Sequence, residues 1–206
     1  MNGRNLASQH TIRVLLGIVV LVSSVFASSI ASAANLLLRW DIPSVSFTPL
    51  TLSPGGHSSA SANDGTSITL TGTGTFRSNS GKPQSVTGGG TWETFAEDGV
   101  TSTGSGNYEV TGFVSFVLAP APNPPVPLTD NVCTNCVLHS GLAVLRIAYS
   151  DGSKGVLVVS CNVPGEGTPE SVFEGITASK DFIDYWNRTA PIPGVDGNRT
   201  LIHILQ

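Results

Sequence analysis

Charge is scarce in this chain. Of 206 residues only ten are lysine or arginine and fourteen are aspartate or glutamate, and the basic ones form no stripe. Without such a stripe the chain lacks the electrostatic footprint of a nucleic-acid or anionic-membrane binder, so no nucleic-acid partner is expected. Cysteine is equally sparse, with Cys133, Cys136 and Cys161 the only three. No aspartate-rich loop matches a calcium-binding signature. Helical periodicity is almost missing, and beyond residue 34 no apolar run approaches membrane-spanning length; Phe113 to Leu118 is only strand-sized.

The one long apolar run lies near the start. Arg4 and Arg13 give a positive segment, Val14 to Phe26 supplies thirteen mostly apolar residues, and Ala31-Ser32-Ala33 has the small-x-small form of a cleavage site. Residues 1–33 therefore read as an export signal, with an uncleaved anchor over Val14 to Ala34 as the rival. The five serines in that stretch argue against the anchor. Cleavage leaves 173 residues with eight basic and fourteen acidic side chains, a balance of −6, and no stable membrane span. The expected location is secreted, periplasmic or cell envelope.

What the chain has in abundance is glycine at regular intervals. Gly72, Gly88 and Gly104 each open the pattern Gly-x-Gly-x-aromatic, ending at Phe76, Trp92 and Tyr108, with a spacing of sixteen residues. A fixed period marks a repeated supersecondary unit, and an even period keeps equivalent residues on one face of a sheet. Residues 66–76 alternate strictly, with Ile68, Leu70, Gly72, Gly74 and Phe76 on one face and threonines on the other. Asn63-Asp64-Gly65 predicts a hairpin turn after a short strand over His57 to Ala62. Val86–Phe95 and Gly104–Leu118 continue the meander, and from Gly112 onward apolar residues on both faces predict burial on both sides. Trp92 is expected over Gly106 and Tyr108 over Gly90, each ring covering exposed backbone.

Ala119 to Thr129 carries five prolines and predicts an extended connection at 119–129. Leu142–Tyr149 and Gly155–Cys161 flank Asp151-Gly152, the strongest hairpin signal in the chain. Thr168-Pro169-Glu170 has helix-start chemistry and predicts a short helix over Pro169 to Glu174. Ile176–Trp186 leans towards strand, and Leu201–Leu205 reads as a closing strand. The expected fold is all-β: an antiparallel β-sandwich or partly closed barrel over 34–206, with one short helix near the C-terminus.

The stretches GGHSSASANDGTSITLTGTGTF, VTGGGTWET, GSGNYEVTGFVSF, LRIAYSDGSKGVL and FEGITASKDFIDYW together resemble a group of exported bacterial proteins with no assigned function. The resemblance spans most of the mature chain. It implies an exported β-rich fold and brings no catalytic residue.

Several constellations could carry chemistry. Phe76, Trp92 and Tyr108 form either a core strip or a stacking platform for a sugar ring; their shared face with Ile68 and Leu70 favours packing. The opposite threonine ladder has an ice-binding reading, but a Thr-rich outer face is ordinary. An odd cysteine count in an exported chain implies one disulfide with either a free thiol or an intermolecular bond, and reach favours Cys136–Cys161, with Cys133–Cys161 and Cys133–Cys136 open. Cys133, Cys136, His139 and Cys161 could formally ligate zinc, but they lack the paired spacing of zinc ribbons. Gly56-His57-Ser58-Ser59-Ala60 approximates a nucleophile elbow whose last glycine is replaced by Ala60 and which a hairpin, not a helix, follows. Glu93 and Glu109, on one face of adjacent strands, are the only paired carboxylates of the repeat region and the basis of a small glycosidase-like hydrolase as the alternative. Asn187-Arg188-Thr189 and Asn198-Arg199-Thr200 are glycosylation sequons in form. The reading that results is a non-enzymatic structural or ligand-binding module without cofactor; the sequence identifies no partner, and a carbohydrate or envelope polymer is the candidate.

Overall fold

Alternation and turn chemistry translate directly into strands. The computed structural model describes residues 35–78, 85–119, 127–163, 168–169, 171–190 and 197–206. The segment read as an export signal and most of the proline-rich connection lie outside them. The described residues all fall within one compact unit, Ala31–Gln206. Their strands are β1 (Leu37–Asp41), β2 (Ser44–Phe47), β3 (Leu50–Ser53), β4 (Ser58–Ser61), β5 (Ser67–Leu70), β6 (Thr73–Arg77), β7 (Val86–Phe95) and β8 (Ser102–Leu118). There follow β9 (Thr129–Asp130), β10 (Cys136–His139), β11 (Gly141–Tyr149), β12 (Lys154–Cys161), β13 (Gly175–Lys180), β14 (Ile183–Tyr185), β15 (Asn187–Arg188) and β16 (Leu201–Leu205).

The large sheet runs β10-β16-β1-β6-β7-β8-β11-β12-β13-β14, with β5 beside β7 and β4 and β15 beyond it. It curls so that β4 and β15 come against β13. The small sheet, β2-β3-β9, contains one parallel pair, β3 with β9; all other ladders are antiparallel. The all-β fold is as read, except that no helix forms among the described residues. Near Pro169 the chain makes one turn, closed by the Val172 N–H donating to the Pro169 carbonyl at 3.0 Å. Gly175 (φ 115°) then opens β13 directly, so no second helical turn can follow.

The glycine–aromatic pairing is as expected: Trp92 stands opposite Gly106 and Tyr108 opposite Gly90. Each ring's polar tip is satisfied, the Trp92 Nε1–H by the Asn107 carbonyl at 3.1 Å and the Tyr108 hydroxyl by the Thr71 carbonyl at 2.7 Å. The repeat also does something not read from it. Trp40, fully buried, lies opposite Gly74, which in turn faces Gly88. The indole occupies the space side chains would take: a Cβ on Gly74 would fall on the Thr87 carbonyl and 2.7 Å from Trp40 Nε1.

Burial on both faces of late β8 does not hold. Val114 is 45% and Val117 64% exposed. Two register shifts against β11 leave Thr111 and Val114 as extra residues, and such bulges re-aim side chains. Phe113 and Phe116 instead pack on Phe76 in the core, at ring-centroid distances of 5.4 and 5.3 Å.

Candidate functional site

The aromatic strip faces inward. Phe76, Trp92 and Tyr108 are 0%, 4% and 2% exposed, and Trp92 packs edge-on against Tyr149 at 5.6 Å. Lys180 Nζ sits 4.5 Å above the Trp92 ring, closing the indole's other side. Trp92 contributes only to the wall of an open, polar groove shared by Thr69, Thr71, Thr91, Glu93 and Asn107. Its floor is a ladder of hydroxyl pairs, Thr71 with Thr91 and Ser59 with Thr69, each at 2.7 Å.

Glu93 lines that groove, but Glu109 does not join it. Glu93 stands opposite Ser105 and Glu109 opposite Gly89. They are four residues apart along the ladder, a separation of about 13 Å at the strand rise. Catalytic carboxylate pairs need roughly 5–9.5 Å. The elbow-like segment fares no better. Ser58 is fully buried on β4, whereas the His203 ring is held by Asp130 (Nε2 to Oδ2, 2.8 Å) and His139 lies on β10 at one end of the large sheet.

The disulfide joins Cys133 to Cys136, with Cα atoms 5.7 Å apart, and not Cys136 to Cys161. Distance along the chain misled here. Cys136 begins β10, which pairs with β16, while Cys161 ends β12 and points, fully buried, into the main core. Burial pushes the Cys161 thiol well up, which makes it a poor nucleophile. Alkylation should label no thiol in the native protein and one, Cys161, in denatured, unreduced protein. A peptide containing Cys136 crosslinked to Cys161 would contradict this pairing.

A second concave site lies where the small sheet meets the large one. Alternation on β2 and β3 turns Val45 and Leu52 inward, where they form a second core with Val132 and Leu201. Beside it is a cavity of about 160 Å³, walled by Val45, Leu50, Leu52, Leu128, Leu138 and Val163. Two charged residues close one end, Glu174 just before β13 and Arg199 just before β16. Glu174 Oε1 accepts the Thr200 N–H at 2.6 Å and Oε2 the Asn162 N–H at 2.7 Å. Burial pushes its carboxyl up to about 7, against the opposing pull of those N–H groups and of Arg199 and Arg188. The Arg199 guanidinium lies 5.3 Å over the ring of half-exposed Phe47, and its buried Nε has no hydrogen-bond partner.

A chain of polar side chains ties the small sheet to the large one. His203, fully buried on β16, engages Asp130 of β9, whose other oxygen accepts the Val132 and Cys133 N–H groups at 2.9 and 3.2 Å. Next to His203 on β1, Asp41 is gripped by Arg39 through Nε and Nη2 at 2.9 and 2.8 Å.

Glu174 and Arg199 escaped sequence reasoning because one fell in an expected helix and the other in a sequon. The sequon itself is structural. Asn198 is 4% exposed, its Oδ1 accepting the Ser59 N–H at 2.9 Å and its Nδ2 donating to the Ala190 carbonyl at 3.3 Å. Asn187 is exposed.

No family model, curated protein or solved structure matches the chain.

Proposed function

We propose that the chain is an exported, non-enzymatic β module of the envelope or extracellular space that holds a small ligand with an apolar body between its two sheets. The observation that carries this reading is the pocket: about 160 Å³, apolar walls, and one polar end built from Glu174 and Arg199. Ligand sites combine these features, and an apolar cavity of about 150 Å³ is large enough for a benzene ring. The separation of Glu93 from Glu109 and the burial of Ser58 favour binding over hydrolysis.

Thermal-shift titration with small aromatic and aliphatic compounds tests the proposal. At a ligand concentration one hundred times the Kd, binding to the folded state adds about 2.7 kcal/mol of stability. Wild-type protein should show that shift, and Leu50→Trp, which fills the pocket from its partly exposed side, should not. An equal shift in both proteins would sink the reading.

The hydroxyl groove favours a second reading, in which the partner is a carbohydrate or envelope polymer laid across Thr71, Thr91 and Asn107. A glycan whose binding is lost in Thr91→Val but kept in Leu50→Trp would support it.

A further inference from the structure

We infer that the ligand of the pocket between the sheets is a small monocarboxylic acid, with its apolar body among Leu50, Leu52 and Leu138 and its carboxylate on the guanidinium of Arg199. The inference rests on the pocket being a ligand site and adds what that site selects.

The polar end of the pocket holds a buried donor without a partner, the Arg199 Nε. Glu174 beside it directs each of its oxygens at a backbone N–H, of Thr200 and Asn162, and not at that donor. Arg199 offers five N–H groups in a rigid fork that is always charged, and its buried Nε meets no partner. A ligand that completes this site must therefore bring acceptors. A cationic head would face the guanidinium charge, and an alcohol can occupy only one arm of the fork. A carboxylate matches the planar fork with two parallel, charge-assisted bonds. The Phe47 ring at 5.3 Å covers one face of the guanidinium and favours presentation of its edge.

Charge and size narrow the class further. A doubly charged phosphate monoester would meet stronger repulsion from Glu174 than a singly charged acid. Burial holds Glu174 partly protonated near neutral pH, which mutes its repulsion of one negative charge. A cavity of about 160 Å³ has room for a body close to benzene in size, so hexanoate and benzoate are fitting probes.

The test is calorimetric titration of the purified protein with hexanoate, hexanamide and hexan-1-ol. Wild-type protein should bind hexanoate at least about tenfold more tightly than hexan-1-ol, the scale of a charge-assisted bidentate pair. Arg199→Met should remove that preference, with hexan-1-ol still bound but up to about tenfold more weakly for the loss of its one hydrogen bond, which also reports that the pocket is still folded. Arg199→Lys, which keeps the charge but not the fork, should restore only part of the preference. Equal binding of the acid and the alcohol by wild type, with both lost in Leu50→Trp, overturns the carboxylate assignment and leaves the pocket reading standing. Failure of every probe to bind wild type overturns both.

Discussion

Gly74→Val is expected to leave the chain largely unfolded at room temperature. The added Cβ would fall on the Thr87 carbonyl of the neighbouring strand and press on the Trp40 indole, two groups with no free end to swing aside. Overpacking typically costs about 1–3 kcal/mol where side chains can adjust. Here backbone must separate from backbone, and Trp40, fully buried beneath the β6–β7 ladder, must leave its seat. A loss of about 4 kcal/mol or more would consume most of the stability of an ordinary domain. Gly112→Ala is the matched control, because its Cβ would meet only the Arg146 side chain at an ordinary 3.6 Å. Urea denaturation of the two variants should show a collapsed midpoint for Gly74→Val and a near-native one for Gly112→Ala. Similar midpoints would mean that the repeat's glycines do not form the seat of Trp40.

Glu174→Ala should cost roughly 3–5 kcal/mol, because it strands two buried backbone N–H groups, those of Asn162 and Thr200, at about 1–3 kcal/mol each. The same carboxyl makes stability depend on pH. Its folded value of about 7 lies above the 4.5 of the free side chain, so the folded state binds more protons between those limits. The contribution is therefore complete below pH 4.5 and is lost as pH rises through 7, by about 3 kcal/mol in all. Glu174→Gln cannot ionise and keeps one acceptor. It should be less stable than wild type at pH 5, and the gap should narrow by pH 8. A gap that stays constant from pH 5 to pH 8 would show that Glu174 does not titrate in the fold.

Local pattern carried most of the architecture into view. The alternation over Ile68 to Phe76, read as one strand, is two, β5 and β6, broken at Thr71 and Gly72; the Asp151-Gly152 turn joins two strands as read, and the sixteen-residue period placed Trp92 on Gly106 and Tyr108 on Gly90. These features are set by neighbours in sequence. Trp40 was invisible by the same standard, since it reaches the glycine pit from a strand more than thirty residues upstream. The disulfide was misjudged because the hairpin of β11 and β12 brings Cys161 near the preceding loop in sequence, whereas the order of strands sends β10 to β16. The two bulges in β8 depend on its register with β11, which alternation within β8 alone does not encode.

The pocket is the extreme case. Its walls come from β2 and β3, from Leu128 beside β9, from Leu138 of β10 and from Val163 after β12, and its charges from Glu174 and Arg199. No two of these segments form a motif, and each is ordinary alone. An acid embedded in Phe173-Glu174-Gly175-Ile176 was the one local sign of a buried carboxylate.

The most direct test of the pocket as a ligand site is a methyl NMR titration of the protein with hexanoate. Saturable shifts are predicted for Leu50, Leu52, Leu138 and Val163, which line the pocket, with Leu70, Leu145 and Leu157 of the main core left unmoved. Shifts confined to the main core, or no shift at saturating acid, would contradict the account.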